Sequence, residues 1–209
     1  MNNNIKKAGV LIALLTLTLS LYQLKAQSVY KLTDSKDIVM KLSGTSTLHK
    51  WDMTATVFTG QASFGFKPGS ETGLTALKSL TFVLADANLS SGESGLDKNA
   101  YKALKATQFK NIVYKLTSAT VSPQSATKYL LKTNGNLTVA GVTKPVTMDV
   151  LCVVSADGAI TCTGTYQLNM TDYAVKPPTF MLGAMKTGDA VTLAFTMIYK
   201  KTTAQLAKL

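Results

Sequence analysis

The chain has a single histidine, His49, which is the residue best suited to general acid–base chemistry. His49 has Ser46 and Asp52 near it in the sequence. A Ser–His–acid mechanism needs a base beside the nucleophile and an acid that orients the base, and proximity in the sequence does not supply that geometry. The chain has no Gly-x-Ser-x-Gly elbow, no phosphate loop and no dinucleotide-binding glycine pattern. We therefore predict a structural role for His49, beside Trp51, and no catalytic residue.

The acidic side chains offer no clear chemistry either. They are scattered singly, without the close pair that glycoside hydrolysis uses. The residues considered are Asp86, Glu93, Asp97, Asp149, Asp172 and Asp189. Two cysteines and one distant histidine are also too few for a typical metal site. We predict a non-enzymatic protein with no metal and no cofactor.

The two cysteines have a spacing that predicts a disulfide. Cys152 and Cys162 flank an Asp157-Gly158 turn signal between two alternating runs. A loop centred on Asp157 places them directly opposite each other, where a close cross-strand pair can be bridged. Such a short loop gives a stabilisation of about 2–3 kcal/mol. The alternative is a pair of packed free thiols.

The first 26 residues have the features of a cleavable secretory signal peptide. Lys6 and Lys7 precede an uncharged apolar stretch of 17 residues, 8–24, and Ala26 suits the position before the cut. The alternative is a retained membrane anchor, for which this stretch is marginal because a spanning helix needs about 20 apolar residues. We predict a signal peptide at 1–26 and one domain at 27–209, periplasmic or secreted. No cysteine follows closely enough to be lipid-modified.

The charge of the chain is strongly positive but comes from lysine alone. The formal net charge is +11, and none of the 22 basic residues is arginine. Arginine is the residue that makes bidentate contacts to phosphate and guanine, so we predict no nucleic-acid partner. The lysines are spaced singly, which is typical of a solvated face. A transient attraction to anionic membrane surfaces is compatible with this charge.

Period-two alternation of apolar and polar residues runs through most of the chain and predicts about eight strands. These strands cover residues 38–42, 57–66, 80–84, 112–116, 129–137, 146–154, 161–171 and 191–199. Their number and spacing favour an antiparallel barrel or sandwich. One segment, 94–107, is instead rich in helix formers and predicts a single surface helix. No repeat or linker marks a domain boundary.

Aromatic residues recur at strand positions that should point inward. They are Phe58, Phe64, Phe66, Phe82, Tyr114, Tyr166 and Phe195. The interior of an eight-stranded barrel is filled by side chains or holds one small ligand. Periodicity does not separate a packed core from a ligand cavity, so both interpretations stay open at this point.

Residues 135–150 resemble a known family. Their sequence, GNLTVAGVTKPVTMDV, is similar to the Gly-x-Leu-Thr-x-x-Gly-Val-Thr-x-x-Val signature of YceI-like proteins. Supporting segments follow the same order along the chain: STLHKW, GQASFGF, a helical insertion at 96–109 that leads into a strand, and MTDYA at 170–174. The resemblance covers roughly residues 35–200.

The resemblance implies an all-β fold, a lipocalin-like extended antiparallel β-barrel with an apolar cavity. It also implies a polyisoprenoid or another long amphiphilic lipid as the partner, bound, stored or transported outside the cytoplasm. On this basis we predict that ligand contacts come from Trp51, Phe58, Phe64, Phe66, Phe82, Leu84, Tyr114, Leu116, Leu137, Met148, Tyr166, Leu168 and Phe195. The alternative function is a packed barrel that acts through its surface. The sequence sets no oligomeric state.

The chain departs from the family pattern at one motif. Met170 stands where the family has arginine, and Tyr173-Ala174 replaces Phe-Gly. If that arginine holds a charged head group, this chain lacks the contact, unless Lys144 or Lys176 replaces it.

Overall fold

The computed structural model describes residues 28–33, 36–180 and 184–202. The predicted signal peptide at 1–26 lies outside these residues. The described part of the chain is mostly β-structure with one α-helix. Its strands are β1 (Val29–Leu32), β2 (Val39–Ser46), β3 (Lys50–Ala55), β4 (Thr59–Phe66), β5 (Leu74–Ala85), β6 (Asn111–Pro123), β7 (Lys128–Val139), β8 (Val142–Val154), β9 (Ile160–Asn169), β10 (Thr179–Phe180) and β11 (Met185–Lys201). Helix α1 is Ser94–Leu104.

Eight of these strands form a closed antiparallel barrel, which confirms the predicted fold. The order around the wall is β1-β4-β5-β6-β7-β8-β9-β11, and β11 returns to pair with β1. The β2–β3 hairpin continues from the first part of β11, and β10 pairs with the start of β11. Closure gives each wall strand two neighbours, so no wall strand is an edge.

Strand β7 shows how the sequence pattern becomes the barrel wall. Its residues alternate strictly between exposed and buried from Lys128 onward. Lys132 faces solvent, while Tyr129, Leu131 and Leu137 are buried. Because successive strand side chains point to opposite faces, this alternation puts lysine outside and apolar residues inside.

Strand β4 departs from the predicted pattern. The register shifts between Ser63 and Phe64 and again between Gly65 and Phe66. At both shifts the extra residue lies on the partner strand β5, at Lys78 and at Thr75, so the pairing of β4 is irregular there. The strand also begins at Thr59 rather than at Val57, whose side chain is 65% exposed.

Helix α1 lies where the sequence predicted a helix, but it ends three residues earlier. Asp97, in the first turn, accepts hydrogen bonds from the Ser91 amide and hydroxyl at 2.7 Å and from the Ser90 hydroxyl at 2.9 Å. These bonds lower the pKa of the Asp97 carboxyl. The helix stops at Leu104 because Lys105 turns into the left-handed region, with φ of 55°.

The inner face of α1 packs against the barrel core. Leu96, Ala100 and Leu104 are partly buried there. The Tyr101 hydroxyl donates a hydrogen bond of 2.5 Å to the carbonyl oxygen of Leu89, which fixes the helix to the segment after β5. The helix is therefore part of the barrel's interior as well as of its surface.

Three aromatic rings pack together at the β1 side of the barrel. The ring centroids of Tyr30 and Phe64 are 5.2 Å apart, and those of Phe64 and Tyr199 are 5.8 Å apart. Both pairs meet edge to face, an arrangement favoured by the charge distribution of aromatic rings. We call Tyr30, Phe64 and Tyr199 the aromatic floor.

The predicted disulfide between Cys152 and Cys162 is present. The two residues are direct cross-strand partners in β8 and β9, with Cα atoms 4.2 Å apart. This spacing is close to that of a non-hydrogen-bonded antiparallel pair. Both cysteines are buried, so the bridge lies inside the barrel.

Asp86 is a buried carboxyl group whose hydrogen-bonding capacity is not fully satisfied. It opens a 3₁₀ turn after β5, and its side chain is 1% exposed. One carboxylate oxygen has no hydrogen-bond partner among the described residues. Burial disfavours the ionised form and raises the pKa of Asp86 from 3.8 to about 6.

Reduction of the disulfide should destabilise the protein. We expect dithiothreitol to lower the free energy of unfolding by about 2–3 kcal/mol, because the reduced unfolded chain regains conformational freedom. Urea denaturation with and without the reductant measures this. The double variant Cys152→Ala/Cys162→Ala is the control, and an equal effect of reductant on it would contradict the prediction.

Asp86 should make stability depend on pH. The folded protein holds the Asp86 proton to a higher pH than the unfolded chain does, so stability falls as pH rises from about 4 through about 6. We expect Asp86→Asn to be more stable than the parent at pH 7 and equally stable near pH 4. The free energies of unfolding of both proteins, measured by urea denaturation at pH 4 and at pH 7, test this prediction.

The control for Asp86 is Asp149→Asn, which makes the same chemical change at an exposed position. If Asp86→Asn shifts the free energy of unfolding equally at pH 4 and pH 7, the assigned titration is wrong.

Candidate functional site

The interior of the barrel contains a cavity of about 380 Å³. This volume lies within the ~300–1,000 Å³ range of small-molecule pockets. Its wall consists mainly of aliphatic, aromatic and methionine side chains. The barrel is therefore not filled completely by its own side chains.

The cavity is elongated. Residues along β11 from Met185 to Tyr199 line it at alternate positions. That stretch of strand is roughly 45 Å long at the usual rise per residue. A long and narrow space of this kind fits a chain-like molecule better than a compact one.

The two ends of the cavity differ in polarity. Ser46 and His49 from the β2–β3 turn, together with Glu93 and Asn99 beside and within α1, line one end. We call these four residues the mouth. Phe64 and Tyr199 of the aromatic floor also line the cavity. Ser46 pairs with Thr187 near the start of β11, whereas Tyr199 lies near its end, so the mouth and the aromatic floor lie at opposite ends of this strand.

Eight of the residues predicted to contact a ligand line the cavity. They come from eight different strands and meet only because the barrel closes. They are Trp51, Phe64, Phe82, Tyr114, Leu137, Met148, Leu168 and Phe195. Contact of these side chains with a ligand stays a prediction.

Four other predicted residues lie in the core, away from the cavity wall. Phe58 precedes β4 and packs against Phe82 at 5.3 Å between ring centroids. Phe66 follows the two bulges in the β4–β5 pair and lies 6.2 Å from the ring of Tyr30. The remaining two are Leu84, which is completely buried, and Leu116, which packs against the core.

Tyr166 lies at a gap in the barrel wall. Strands β8 and β9 pair only from Val150 opposite Gly164 to Val154 opposite Ile160, although both strands continue beyond. A second, more open hollow is lined there by Tyr166.

Polar groups also line this second hollow, among them Lys144 and Asp172. The hollow shares Leu168 and Tyr173 with the main cavity. These two side chains therefore separate the interior from the outer hollow. Lys144 lies on the outer side and does not line the main cavity.

Helix α1 contributes cavity residues that the sequence analysis did not predict. Leu96, Ala100, Ala103 and Leu104 all line the cavity. Their helical spacing was visible in the sequence, where they fall near one face. What the pattern did not show is that this face covers the barrel interior.

Methionine is the other unpredicted feature of the wall. Every methionine among the described residues lines the cavity: Met40, Met53, Met148, Met170, Met185 and Met197. Methionine is flexible and polarizable, so it adapts to irregular shapes. This wall can adjust to chains that differ in length or branching.

The geometry around His49 does not form a catalytic triad. The Ser46 hydroxyl donates to the His49 carbonyl oxygen at 2.9 Å, within the β2–β3 turn. Asp52 instead accepts from the Ser43 hydroxyl at 2.6 Å and pairs with Lys41 at 3.0 Å. The hydrogen bond from Ser43 and the pairing with Lys41 lower the pKa of the Asp52 carboxyl.

No three His, Cys, Asp or Glu side chains in the described part of the chain lie close enough together to hold a metal ion. Within the same residues, no helix has the length and apolar character needed to cross a bilayer.

The cavity wall carries little charge. Glu93 and His49 lie at the mouth, and no lysine is among the described residues that line the cavity. Burial raises the pKa of Tyr173 to about 12 and also raises that of Tyr199, so both phenols are neutral near pH 7. A charged group placed deep in this cavity would have no cation to pair with.

Solved structures with a similar fold come from three bacteria. BcnA of Burkholderia cenocepacia has 16% sequence identity and a TM-score of 0.62, covering 80% of this chain and 98% of that one. A polyisoprenoid binding domain from Saccharophagus degradans, implicated in plant cell wall breakdown, has 10% identity and a TM-score of 0.62, covering 83% and 98%. The Campylobacter jejuni YCEI protein has 18% identity and a TM-score of 0.50, covering 69% and 81%.

At these identities, the structural likeness shows a shared fold. A comparison with curated protein sequences finds no match. The sequence itself matches the YceI-like domain over residues 30–199, which extend from β1 almost to the end of β11. The barrel and this match together show that the chain belongs to the YceI-like domain family.

Proposed function

We propose that this protein binds a long apolar lipid, a polyisoprenoid or a similar amphiphile, inside its barrel and stores or transports it without chemical change. The observation that carries the proposal is the elongated apolar cavity, which reaches from the mouth to the aromatic floor. A structural neighbour described as a polyisoprenoid binding domain supports this ligand class.

The energetics of such a complex require few polar contacts. Burial of each methylene group contributes about 0.8 kcal/mol. Association costs on the order of 4–15 kcal/mol before any net affinity appears. A chain of about twenty buried carbons contributes about 16 kcal/mol and so exceeds even the upper figure by burial alone. This suits a wall made of apolar and methionine side chains.

A packed barrel that acts only through its surface is the alternative function. It requires an interior filled by side chains, whereas this barrel keeps a space of about 380 Å³. Native interiors contain few voids larger than a water molecule, so a space of this size favours the binding function.

We further propose that the protein works outside the cytoplasm, in the periplasm or after secretion. The buried Cys152–Cys162 disulfide supports this location, because disulfides persist mainly in oxidising compartments. The predicted signal peptide points the same way. A protein with an enclosed apolar cavity would allow an insoluble lipid to cross an aqueous compartment.

Filling the cavity should remove lipid binding. Val150 lines the cavity opposite Gly164, whereas the next residue, Leu151, is 39% exposed on the outer face. We expect Val150→Phe to reduce lipid affinity about tenfold or more, since the added ring occupies ligand space at some cost to packing.

Native mass spectrometry of protein purified from a bacterial host, with added prenyl lipid, measures the bound fraction. Leu151→Phe is the matched control and should bind like the parent. If the parent shows only the polypeptide mass and takes up no prenyl lipid, the proposed function fails. Equal binding by both variants would place the ligand outside the cavity.

A further inference from the structure

The hydroxyl group of Tyr114 is buried and makes no hydrogen bond of normal geometry. Tyr114 is 7% exposed and lines the cavity. Its oxygen has no hydrogen-bond partner among the described residues. A buried polar group without a partner costs free energy, so such groups are uncommon in folded proteins.

Two other tyrosine hydroxyls of this barrel do have partners. Tyr129 is 4% exposed, and its hydroxyl donates to the carbonyl oxygen of Thr72 at 2.7 Å and lies 3.1 Å from that of Ala126. Tyr101 similarly reaches the carbonyl oxygen of Leu89. Tyr114 differs from these two tyrosines because it lines the cavity.

The position of Tyr114 is fixed by its neighbours. It lies on β6 between Phe82 of β5 and Leu137 of β7, and all three line the cavity. Its ring lies over Gly135, where a side-chain Cβ would overlap the ring carbon and the hydroxyl oxygen. Glycine at 135 thus provides the space that holds the phenol against the wall.

A second hydroxyl lies nearby. Thr133 is 4% exposed, lines the cavity and donates its proton to the carbonyl oxygen of Met148 at 3.1 Å. Burial raises the pKa of the Tyr114 phenol, and a weak interaction with the Thr133 hydroxyl, outside normal hydrogen-bond geometry, partly offsets this effect. Tyr114 therefore keeps its proton near pH 7 and can donate it.

We propose that Tyr114 and Thr133 form a polar subsite inside the apolar cavity that binds a neutral oxygen of the ligand, such as a hydroxyl, carbonyl or ether. This inference rests on the proposed function and narrows its ligand class to oxygenated amphiphiles. A pure hydrocarbon would leave the Tyr114 donor unpaired. A phosphate or carboxylate at this depth would have no cation among the described lining residues.

Two probes distinguish these ligand classes. One is farnesol, a prenyl alcohol, and the other is the matched hydrocarbon without the hydroxyl group. Trp51 is the only tryptophan of the chain and lines the cavity, so quenching of its fluorescence reports binding. We expect Tyr114→Phe to weaken farnesol binding about fivefold to tenfold and to leave hydrocarbon binding unchanged or tighter.

Tyr129→Phe is the matched control, because it removes a phenol hydroxyl that is already paired. Tyr129→Phe should lower the stability of the protein and leave its affinities for farnesol and for the hydrocarbon unchanged. Tyr114→Phe should melt no lower than the parent, which separates a binding defect from a folding defect. If the parent binds neither probe, the proposed function fails. If the parent binds both and Tyr114→Phe binds farnesol equally well, only the polar subsite is overturned.

Discussion

Closure of the hydrogen-bonded wall is the constraint on which the rest of this structure depends. The short strand β1 pairs with β4 on one side and with β11 on the other, and so completes a ring of eight strands. The wall satisfies its own backbone groups, so the interior does not have to be filled to hold the chain together. The aromatic floor and the disulfide add packing and covalent support. The cavity is possible because these elements stabilise the wall around it.

Alternation along the strands then separates charge from the interior. Lysines such as Lys132 stand on the outer face, while the facing positions deliver apolar side chains inward. The same rule explains a basic surface and a cavity wall without lysine among the described residues. Among the described residues, the polar groups of the cavity wall are few: the four residues of the mouth, Thr133 and Thr187 on strands, and the Tyr114 hydroxyl above Gly135.

Much of the fold could be predicted from local pattern, and the failures have local causes. The hairpin that carries Cys152 and Cys162 was predictable because a turn signal sets the register of two strands. The bulges in the β4–β5 pair were not, because a one-residue insertion leaves no mark in composition. Helix α1 was predicted, yet its end at Lys105 depends on a left-handed residue that is not glycine. The alternation of β9 places Tyr166 on the inward face, but β8 and β9 separate beside it, so it lines the outer hollow instead of the main cavity.

The sequence by itself determined the class of structure, the inner and outer faces of the regular strands, the cysteine pair and the family, since each depends on neighbours in sequence or on a short motif. Only the tertiary structure decided whether the barrel is hollow, which residues face the hollow and that α1 covers it. The physical reason is that a cavity is a difference between the space enclosed by distant strands and the volume of their side chains. No local window contains both quantities. The six methionines illustrate this, because they come from separate places in the chain and share one wall only after closure.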